Sequence, residues 1–343
     1  MTTEPLISDP DVLPYARVQL IRDRLTVTEL NDVTVSHPHC FLSANGTYIV
    51  DEAFFPRFAS KVREATPDMM ASFEALPERR ITGRCLVFQN WGVGIWGHFL
   101  IFMLPRLALA RCHGIDLAQM PILMSVQTPA WQYAALRALF GLSDESFVTF
   151  NPRKERVRID HAVIPEMPYR LDGFRPGAHE IFEEFRDQGL CAVESSAQPS
   201  NAVVLIDRRP YLDKSASYKR EARNFESLEA ELRKHAPDLM VIDPAHLSIT
   251  EQVELFWNAS MVVGEYGSAL HNTVFGRAGQ VVISIGKINQ LQSHICKLMG
   301  QDYIAIDAPC LDAEFDIPIT EVALHFKDYI GRLRSDHSAS EKK

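Results

Sequence analysis

Residues 261–275 (Met-Val-Val-Gly-Glu-Tyr-Gly-Ser-Ala-Leu-His-Asn-Thr-Val-Phe) have the pattern of an anion-binding turn. They predict a short buried strand at 261–263, a glycine turn at 264–267 and a helix that begins at Ser268. A strand that passes directly into a helix leaves backbone N–H groups unpaired, and the helix dipole adds positive potential there. Small side chains at 267–269 let a ligand approach the backbone. The chemistry indicated is binding of an anion such as a diphosphate.

A second glycine-rich loop, 92–97 (Gly-Val-Gly-Ile-Trp-Gly), matches the dinucleotide-binding pattern G-x-G-x-x-G and suggests an oxidoreductase. Such a site needs an acidic residue about 20 positions later. The next strand ends Met-Ser-Val-Gln at 124–127, without an acid, and the segment 90–98 around the loop holds the bulky residues Trp91 and Trp96. Considered by itself, the loop places His98 at a helix N-terminus, which favours the neutral imidazole that accepts protons. A capping or loop-bonding role for His98 is the alternative.

The composition is that of a globular protein. With 343 residues the chain can form two domains, and its net charge of −9 argues against a nucleic-acid partner. The six cysteines are scattered without metal-ligand spacing, so we expect reduced thiols and no metal site. The sequence shows no signal-peptide pattern and no apolar run of membrane-spanning length. We expect a cytoplasmic protein, and peripheral attachment to the inner face of the membrane stays open.

Apolar periodicity divides the chain into two α/β domains. We place them at 1–190 and 201–335, with a polar linker at 191–200 and a disordered tail at 336–343. Strands alternating with helices predict parallel sheets with helices on both faces and ligands at the strands' carboxyl ends. The first domain begins with β-like sequence at 25–35 and a hairpin at 40–50 around Asn45-Gly46. The later predicted strands are 84–88, 121–124, 157–164, 202–206, 239–242, 280–285 and 303–306. The predicted helices are 68–76, 97–112, 129–141, 178–188, 224–235, 249–259, 290–299 and 320–334.

Three local signals refine the helix predictions. Asn224 is the expected N-cap of helix 224–235. Ser248 and Glu251 form a capping box at the start of helix 249–259. Pro105 is expected to kink helix 97–112 or to begin a second segment there.

Several motifs, in order along the chain, resemble those of glycosyltransferase family 61, including its bacterial members associated with capsular polysaccharide synthesis. The first domain contains Gly97-His98-Phe99 and Leu104-Pro105-Arg106-Leu107, similar to the family's "HW…LPRL" element. Further matches run from 202 to 285: a strand-then-arginine signature at 205–208, an arginine-x-x-x-asparagine element at Arg220 and Asn224, an "LSxxEQxxLFxxA" helix at 247–259, and a glycine–histidine–glycine turn ending in asparagine at 264–272.

The resemblance implies a GT-B fold, in which two Rossmann-like domains face each other across a cleft. It also implies inverting, metal-independent transfer from a nucleotide sugar, a co-substrate, to a saccharide acceptor, without a further cofactor. Such chemistry needs cations or amides to stabilise the departing diphosphate and one base to deprotonate the acceptor hydroxyl.

The implied site residues fall into three groups. The candidates for proton transfer are His98 and His271. The acceptor-side candidates are Asn90, Trp91 and Trp96, and the two tryptophans either stack on sugar faces or pack at the domain interface. The donor-binding candidates are Arg208, Arg209, Arg220, Glu265, Tyr266, Gly267, Ser268, Ala269 and Asn272, although Asn272 also has the position of a structural residue that bonds a neighbouring backbone.

The chain departs from the family in this turn, which has Tyr266, preceded by Glu265, where the family has histidine between its glycines, and His271 where the family has threonine before the asparagine. Glu265 either binds a ribose or sugar hydroxyl or turns away into an ion pair with an arginine. Tyr266 either stacks on a base or bonds a phosphate, and His271 takes the place of the missing imidazole. The alternative functions are a non-catalytic nucleotide- or saccharide-binding protein of the same fold and a dinucleotide-dependent oxidoreductase.

Overall fold

The computed structural model describes residues 15–16, 25–36, 41–44, 47–49, 67–87, 94–170, 173–193, 201–209, 221–288, 290–308 and 314–340. The chain divides into two compact units, Met1–Gln188 and Gly189–Lys343. Both units combine helices with parallel strands, so the protein has the mixed α/β architecture that the sequence predicts.

In the described part of the first unit, eight strands form one sheet with the order β1-β4-β3-β2-β8-β5-β6-β7. Strands β2, β3 and β4 pair in antiparallel fashion, which confirms the predicted hairpin, although residues 45–46 lie outside the described residues. Strands β8, β5, β6 and β7 are parallel, so their carboxyl ends share one edge. The strands are β1 (Tyr15–Ala16), β2 (Val27–Ser36), β3 (Phe41–Ala44), β4 (Thr47–Ile49), β5 (Glu78–Val87), β6 (Ile122–Ser125), β7 (Phe147–Phe150) and β8 (Arg156–Pro165); β9 (Tyr169–Arg170) and β10 (Gly173–Phe174) form a separate pair.

One helix of this unit changes from α-helical to π-helical winding and back along its length. Helix α2 runs over 96–112 as Trp96–His98, a π-helical segment Phe99–Met103, and Leu104–Cys112. Pro105 lacks an N–H, and its ring would collide with the carbonyl four residues earlier in a regular α-helix. The wider π turn just before it relieves that conflict. The other helices are α1 (Pro67–Glu74), α3 (Ala130–Phe140), α4 (Ala178–Cys191) and a 3₁₀ turn, Asp144–Ser146.

The second unit contains a sheet of five described strands, all parallel, in the order β13-β11-β14-β15-β16. Counted along the chain, this order is 2-1-3-4-5, a doubly wound arrangement. It confirms the parallel sheet predicted for this half. The strands are β11 (Ala202–Ile206), β12 (Glu221–Ala222), β13 (Met240–Ile242), β14 (Ala259–Glu265), β15 (Val281–Ile285), β16 (Asp302–Ile306) and β17 (Glu314–Phe315), of which β12 and β17 pair with each other.

Helices cover both faces of this sheet. Leu205 and Val263 pack in one apolar cluster with Phe225 and Phe326, which belong to the helices Phe225–Arg233 and Ile319–Ser340. Because strand side chains alternate between faces, the neighbouring strand residues point to the opposite side. Helix Ile249–Asn258 contacts β14, and helix Gln290–Leu298 contacts β16. The helices are α5 (Phe225–Arg233), α6 (Ile249–Asn258), α7 (Gln290–Leu298) and α8 (Ile319–Ser340), with 3₁₀ turns at Pro244–His246 and Leu270–Phe275. Among the described helices, none has both the length and the apolar character that a bilayer crossing requires.

Helices α8 and α5 each differ from the sequence prediction at one end, whereas α6 begins with the capping box that the sequence predicts. Helix α8 continues to Ser340, into the segment 336–343 predicted as disordered, because extending an existing helix adds one backbone bond per residue fixed. Asn224 occupies the N-cap position of α5 but makes no side-chain cap bond. Its Nδ2 donates to the Ile317 carbonyl at 2.9 Å and its Oδ1 accepts from the Ile317 N–H at 2.8 Å. The capping box of Ser248 and Glu251 is confirmed.

Replacement of Asn224 tests whether it acts as a cap or as a tie between segments. Asn224→Ser keeps a good capping residue but cannot reach both backbone groups of Ile317, so we expect it to lower the free energy of unfolding nearly as much as Asn224→Ala. Two lost hydrogen bonds correspond to about 1–3 kcal/mol. Urea unfolding of the three proteins measures this, and wild-type stability of Asn224→Ser would show that capping is the main role.

Candidate functional site

The sheet of the second unit has its topological switch point between β11 and β14. In doubly wound sheets, ligands bind outside the carboxyl ends of the strands at this point. Arg208 follows β11, and residues 266–269 follow β14. Leu205 pairs with Val263 in the parallel register, so the two chain ends leave the sheet side by side. The fold therefore brings together two segments that the sequence nominates for donor binding.

Arg208 is tied to the end of β14. Its Nη1 donates to the Tyr266 carbonyl at 3.2 Å and lies 3.8 Å from Oε2 of Glu265. The two side chains are 13% and 4% exposed, so the ion pair is largely shielded from water and fixes the guanidinium. Of the two positions considered for Glu265, the structure has the ion pair with an arginine. Arg208 makes no other hydrogen bond within the described residues, so further N–H donors remain for a ligand.

Arg209 has different surroundings. Its Nε and Nη2 donate to the two carboxylate oxygens of Asp207, at 3.0 and 2.8 Å. Nη1 lies 3.3 Å from Glu226, and the guanidinium lies 4.4 Å from the centroid of the Phe225 ring. Hydrogen bonding to Asp207 raises the pKa of Arg209 above its usual value. Its guanidinium is committed to protein groups, which leaves Arg208 as the better placed of the two for a ligand.

The turn after β14 does not form the helix that the sequence predicts. The helix begins at Leu270 instead of Ser268 and is a 3₁₀ helix, Leu270–Phe275. Asn272 accounts for the tight winding, because its backbone N–H and its side-chain Nδ2 both donate to the Ala269 carbonyl, at 3.3 and 3.1 Å. This bond from Asn272 to a neighbouring backbone is the structural arrangement anticipated from its position. So short a helix has a small dipole, and the predicted anion site at an α-helix N-terminus is absent in that form.

A row of backbone donors remains at the turn. The N–H groups of Gly267, Ser268 and Ala269 make no hydrogen bond in the described part of the chain, whereas the Tyr266 N–H donates to the Ile285 carbonyl at 2.9 Å. Residues 266–269 are partly exposed. Gly267 has a φ of 145°, which residues with a side chain rarely adopt. Three consecutive amides are thus open to an anionic ligand.

Two glycines set the position of the Tyr266 ring and of β14. A Cβ on Gly286, whose φ is 105°, would lie 2.9 Å from Cδ1 of Tyr266, so the ring packs directly on the backbone of Gly286. A Cβ on Gly264 would lie 3.1 Å from Cβ of Ile206, so β14 packs tightly against β11. The partly exposed Tyr266 ring therefore provides an aromatic surface beside the open amides.

His271 lies in a buried network of glutamine side chains. Its Nδ1 is 2.9 Å from Oε1 of Gln292, whose Nε2 donates to Oγ1 of Thr273 at 2.8 Å. Gln301 donates to the Thr273 carbonyl at 2.6 Å, and Gln280 donates to two carbonyls near the start of β14 at 2.9 Å. Burial lowers the pKa of His271 to about 4, so the ring is neutral at neutral pH. At 5% exposure, the imidazole contacts protein groups and scarcely any solvent.

In the first unit, His98 lies in the first turn of α2, as the sequence predicts. Its half-buried ring lies 5.4 Å from that of Phe102, which in turn lies 5.5 Å from the ring of Tyr169. Trp96 lies 5.3 Å from Trp131, measured between ring centroids. Aromatic packing thus holds the start of α2, and the π-helical segment Phe99–Met103 follows it directly.

Sequence reasoning missed the positional importance of Arg106. The residue is fully buried, its Nε donates to the Pro165 carbonyl at 2.7 Å, and its Nη2 donates to the Val87 carbonyl at 3.0 Å. Pro165 and Val87 end the neighbouring strands β8 and β5, so the guanidinium ties two strand ends to α2. An arginine inside an apolar helical run was the available signal, because such a buried charge must be paired. His98 lies about two turns earlier on the same helix, and this anchor holds that helix against the sheet.

A second buried charge lies beside the same strand end. Glu166 follows Pro165, is fully buried, and accepts from Nη1 of Arg175 at 2.5 Å and from the Thr26 N–H at 3.2 Å. These bonds attach the segment after β8 to the start of β2. No motif in the sequence pointed to this ion pair, because its members come from separate segments.

Three of the proposed site residues, Asn90, Trp91 and Arg220, lie outside the described residues. Among the residues that are described, no three His, Cys, Asp or Glu side chains are grouped so that they could hold a metal ion.

In doubly wound folds, an arginine and open backbone amides at the switch point form the kind of site at which phosphate groups bind. A family model described as Glycosyltransferase 61 matches residues 96–283, which include His98, Arg106, Arg208 and the turn. This match covers more than half of the chain, so the chain belongs to glycosyltransferase family 61 and is a glycosyltransferase. A search among curated proteins found no match. Family membership decides against the oxidoreductase alternative.

Burial of His271 makes the stability of the fold depend on pH. Its pKa is about 4 in the folded protein and 6.5 without the protein environment, so the unfolded chain takes up the proton first as the pH falls. The stabilising contribution is therefore complete above pH ~6.5 and is lost as the pH falls towards ~4; we expect a loss of about 2 kcal/mol between pH 7.5 and 5.

Urea unfolding at several pH values measures this contribution, with His271→Asn as the test variant. Removal of the imidazole should flatten the profile between pH 7.5 and 5, whereas replacement of the exposed His113 by Asn should leave it unchanged. An equal slope for His271→Asn and the wild type would contradict the assignment.

Proposed function

We propose that this enzyme transfers a sugar, with inversion and without a metal ion, from a nucleotide-sugar donor to a hydroxyl of a saccharide acceptor. We further propose a GT-B arrangement, a cytoplasmic location with peripheral membrane association, and a role in capsular or extracellular polysaccharide synthesis. The observation that carries the proposal is the position of Arg208 beside three open backbone amides at a topological switch point. Membership of glycosyltransferase family 61 supports glycosyl transfer as the class of reaction.

On the donor side, the departing nucleoside diphosphate needs its developing negative charge stabilised. The proposed groups are the free N–H donors of Arg208 and the amides of residues 267–269, with Arg220 as a further cation. Glu265 offsets part of the charge of Arg208, and the ion pair holds the guanidinium in one orientation before the ligand arrives. Preorganised donors of this kind need little reorganisation when charge develops. The Tyr266 ring is the proposed surface for the nucleotide base.

On the acceptor side, His98 is the proposed general base. A base has to contact the acceptor hydroxyl, and the half-buried His98 at a helix start meets that need better than His271, which is 5% exposed. We assign His271 and Asn272 to supporting the turn, and Arg209 to holding Asp207. Asn90, Trp91 and Trp96 remain the proposed acceptor contacts.

Replacement of Arg208 tests the donor site. Arg208→Gln removes charged hydrogen bonds worth about 1.5–3 kcal/mol each, so we expect the Kd of a nucleoside diphosphate to rise roughly 10- to 100-fold. Isothermal titration with UDP and GDP measures this Kd. Arg233→Gln, a change on the outer face of α5, should leave the Kd unchanged.

The Arg208 variant also leaves Glu265 buried without its partner, which lowers stability. The double variant Arg208→Gln/Glu265→Gln removes both charges and should regain stability while its nucleotide binding stays weak. Wild-type affinity in a folded double variant would contradict the donor site. Binding of nucleotides without any turnover of their sugars would favour the non-catalytic alternative.

Replacement of His98 tests the base. Loss of a general base lowers rates by about 10²- to 10⁴-fold, so we expect His98→Asn to lower kcat by that factor and to leave donor Kd unchanged. Arg106→Lys, which keeps the charge but changes the spacing of the donors, should lower kcat by a smaller factor because it shifts α2. His113→Asn, near the other end of α2, is the control. Comparable kcat values for His98→Asn and His113→Asn would contradict the role of His98.

A further inference from the structure

Gln132 carries a buried side-chain amide without a hydrogen-bond partner. The residue is 0% exposed, and neither Oε1 nor Nε2 has a partner in the part of the chain that the structure describes. As the third residue of α3, it occupies the position from which glutamine ordinarily reaches back to the N–H of the N-cap residue. The N-cap here is Pro129, which has no N–H. Since an unpaired buried amide lowers stability, its presence points to a ligand.

The backbone in the first turn of α3 is also open. The N–H groups of Ala130 and Trp131 make no hydrogen bond among the described residues, and no side chain caps the helix. Helix α3 has 11 residues, long enough for its N-terminal donors to share a direction. The amide of Gln132 and two backbone donors therefore belong to one helix start.

Aromatic and apolar side chains lie around this helix start. Trp131 is half-buried, 5.3 Å from Trp96 and 5.2 Å from Phe99 between ring centroids. A Cβ on Gly94 would lie 3.8 Å from Cγ of Pro129, so the segment ahead of α2 contacts the start of α3. The exposed apolar residues of the two segments are Ile95, at 42%, and Val126, at 53%.

The chemistry of this patch fits an uncharged ligand. Residues 94–96 and 126–132 contain no charged side chain, so a phosphate or nucleotide would find no cation in them. A sugar ring has an apolar face that packs on indole, and hydroxyl groups that bond to amides. We propose that residues 94–96 and 126–132 form a subsite for a neutral saccharide ring, in which Trp131 packs on the ring and Gln132 bonds its hydroxyl groups.

The identification of the bound saccharide as the acceptor rests on the proposed function. Because the amide is covered in this structure, binding includes a rotation of the Gln132 side chain towards the ring. Gln132→Leu removes a buried amide that has no partner, so the variant should be as stable as the wild type or more stable, while saccharide binding weakens.

Saturation-transfer NMR and tryptophan fluorescence on the full chain test the subsite with methyl glycosides of glucose, galactose, mannose and N-acetylglucosamine. At least one glycoside should bind the wild type, and Gln132→Leu should raise its Kd about 2- to 10-fold, the range for one lost hydrogen bond. Trp131→Phe should also raise the Kd, because a smaller ring covers less of the sugar. Gln119→Leu, a change at an exposed glutamine outside the subsite, is the matched control and should bind as the wild type does.

Two results would overturn the proposal. The first is the absence of binding by all four glycosides to the wild type. The second is a Gln132→Leu variant with unchanged glycoside affinity and lower stability, which would assign the amide to an internal water molecule. Nucleotide titration on the same samples separates this subsite from the donor site, because loss of one type of binding leaves the other measurable.

Discussion

The buried backbone of the 3₁₀ helix Leu270–Phe275 is the constraint on which the candidate donor site depends. Its polar groups lie inside the protein, where each needs a hydrogen-bond partner. Glutamine side chains from later segments meet this need, since Gln301 bonds the Thr273 carbonyl and Gln292 bonds the side chains of Thr273 and His271. The turn at 266–269 is the exposed continuation of this fixed backbone. Its open amides can therefore be rigid without being capped by another side chain.

In the first unit, buried backbone carbonyl groups also need hydrogen-bond partners, and there a charged side chain provides them. Parallel strands β5 and β8 end with carbonyl groups at the sheet edge. The buried guanidinium of Arg106 donates a hydrogen bond to the last carbonyl of each strand. Buried charges retained in this way can specify one arrangement even when they add little net stability. Arg106 thereby links the sheet to the helix that carries His98. In the second unit the paired Arg208 and Glu265 hold a guanidinium in place at a strand end.

Periodicity and local motifs predicted the parts of the fold that depend on neighbouring residues. The parallel sheet of the second unit, the hairpin near residue 45 and the Ser248 capping box follow from patterns a few residues long. The prediction of a helix that begins at Ser268 is wrong, because Asn272 and distant glutamines favour the tighter 3₁₀ winding that begins at Leu270. The ties of Asn224 to Ile317 and of Arg106 to two strand ends join segments far apart in sequence, which no local pattern encodes. The different surroundings of Arg208 and Arg209 likewise appeared only in three dimensions.

Hydrogen–deuterium exchange over residues 266–270 shows whether the diphosphate binds at the turn, because it observes the amides themselves. Without a ligand, the unbonded N–H groups of Gly267, Ser268 and Ala269 should exchange rapidly. A saturating nucleoside diphosphate should slow exchange there in the wild type, and at the same concentration should slow it much less in the Arg208→Gln/Glu265→Gln variant. Unchanged exchange at these amides, with the nucleotide demonstrably bound, would place the diphosphate elsewhere and show that the turn is not the donor site.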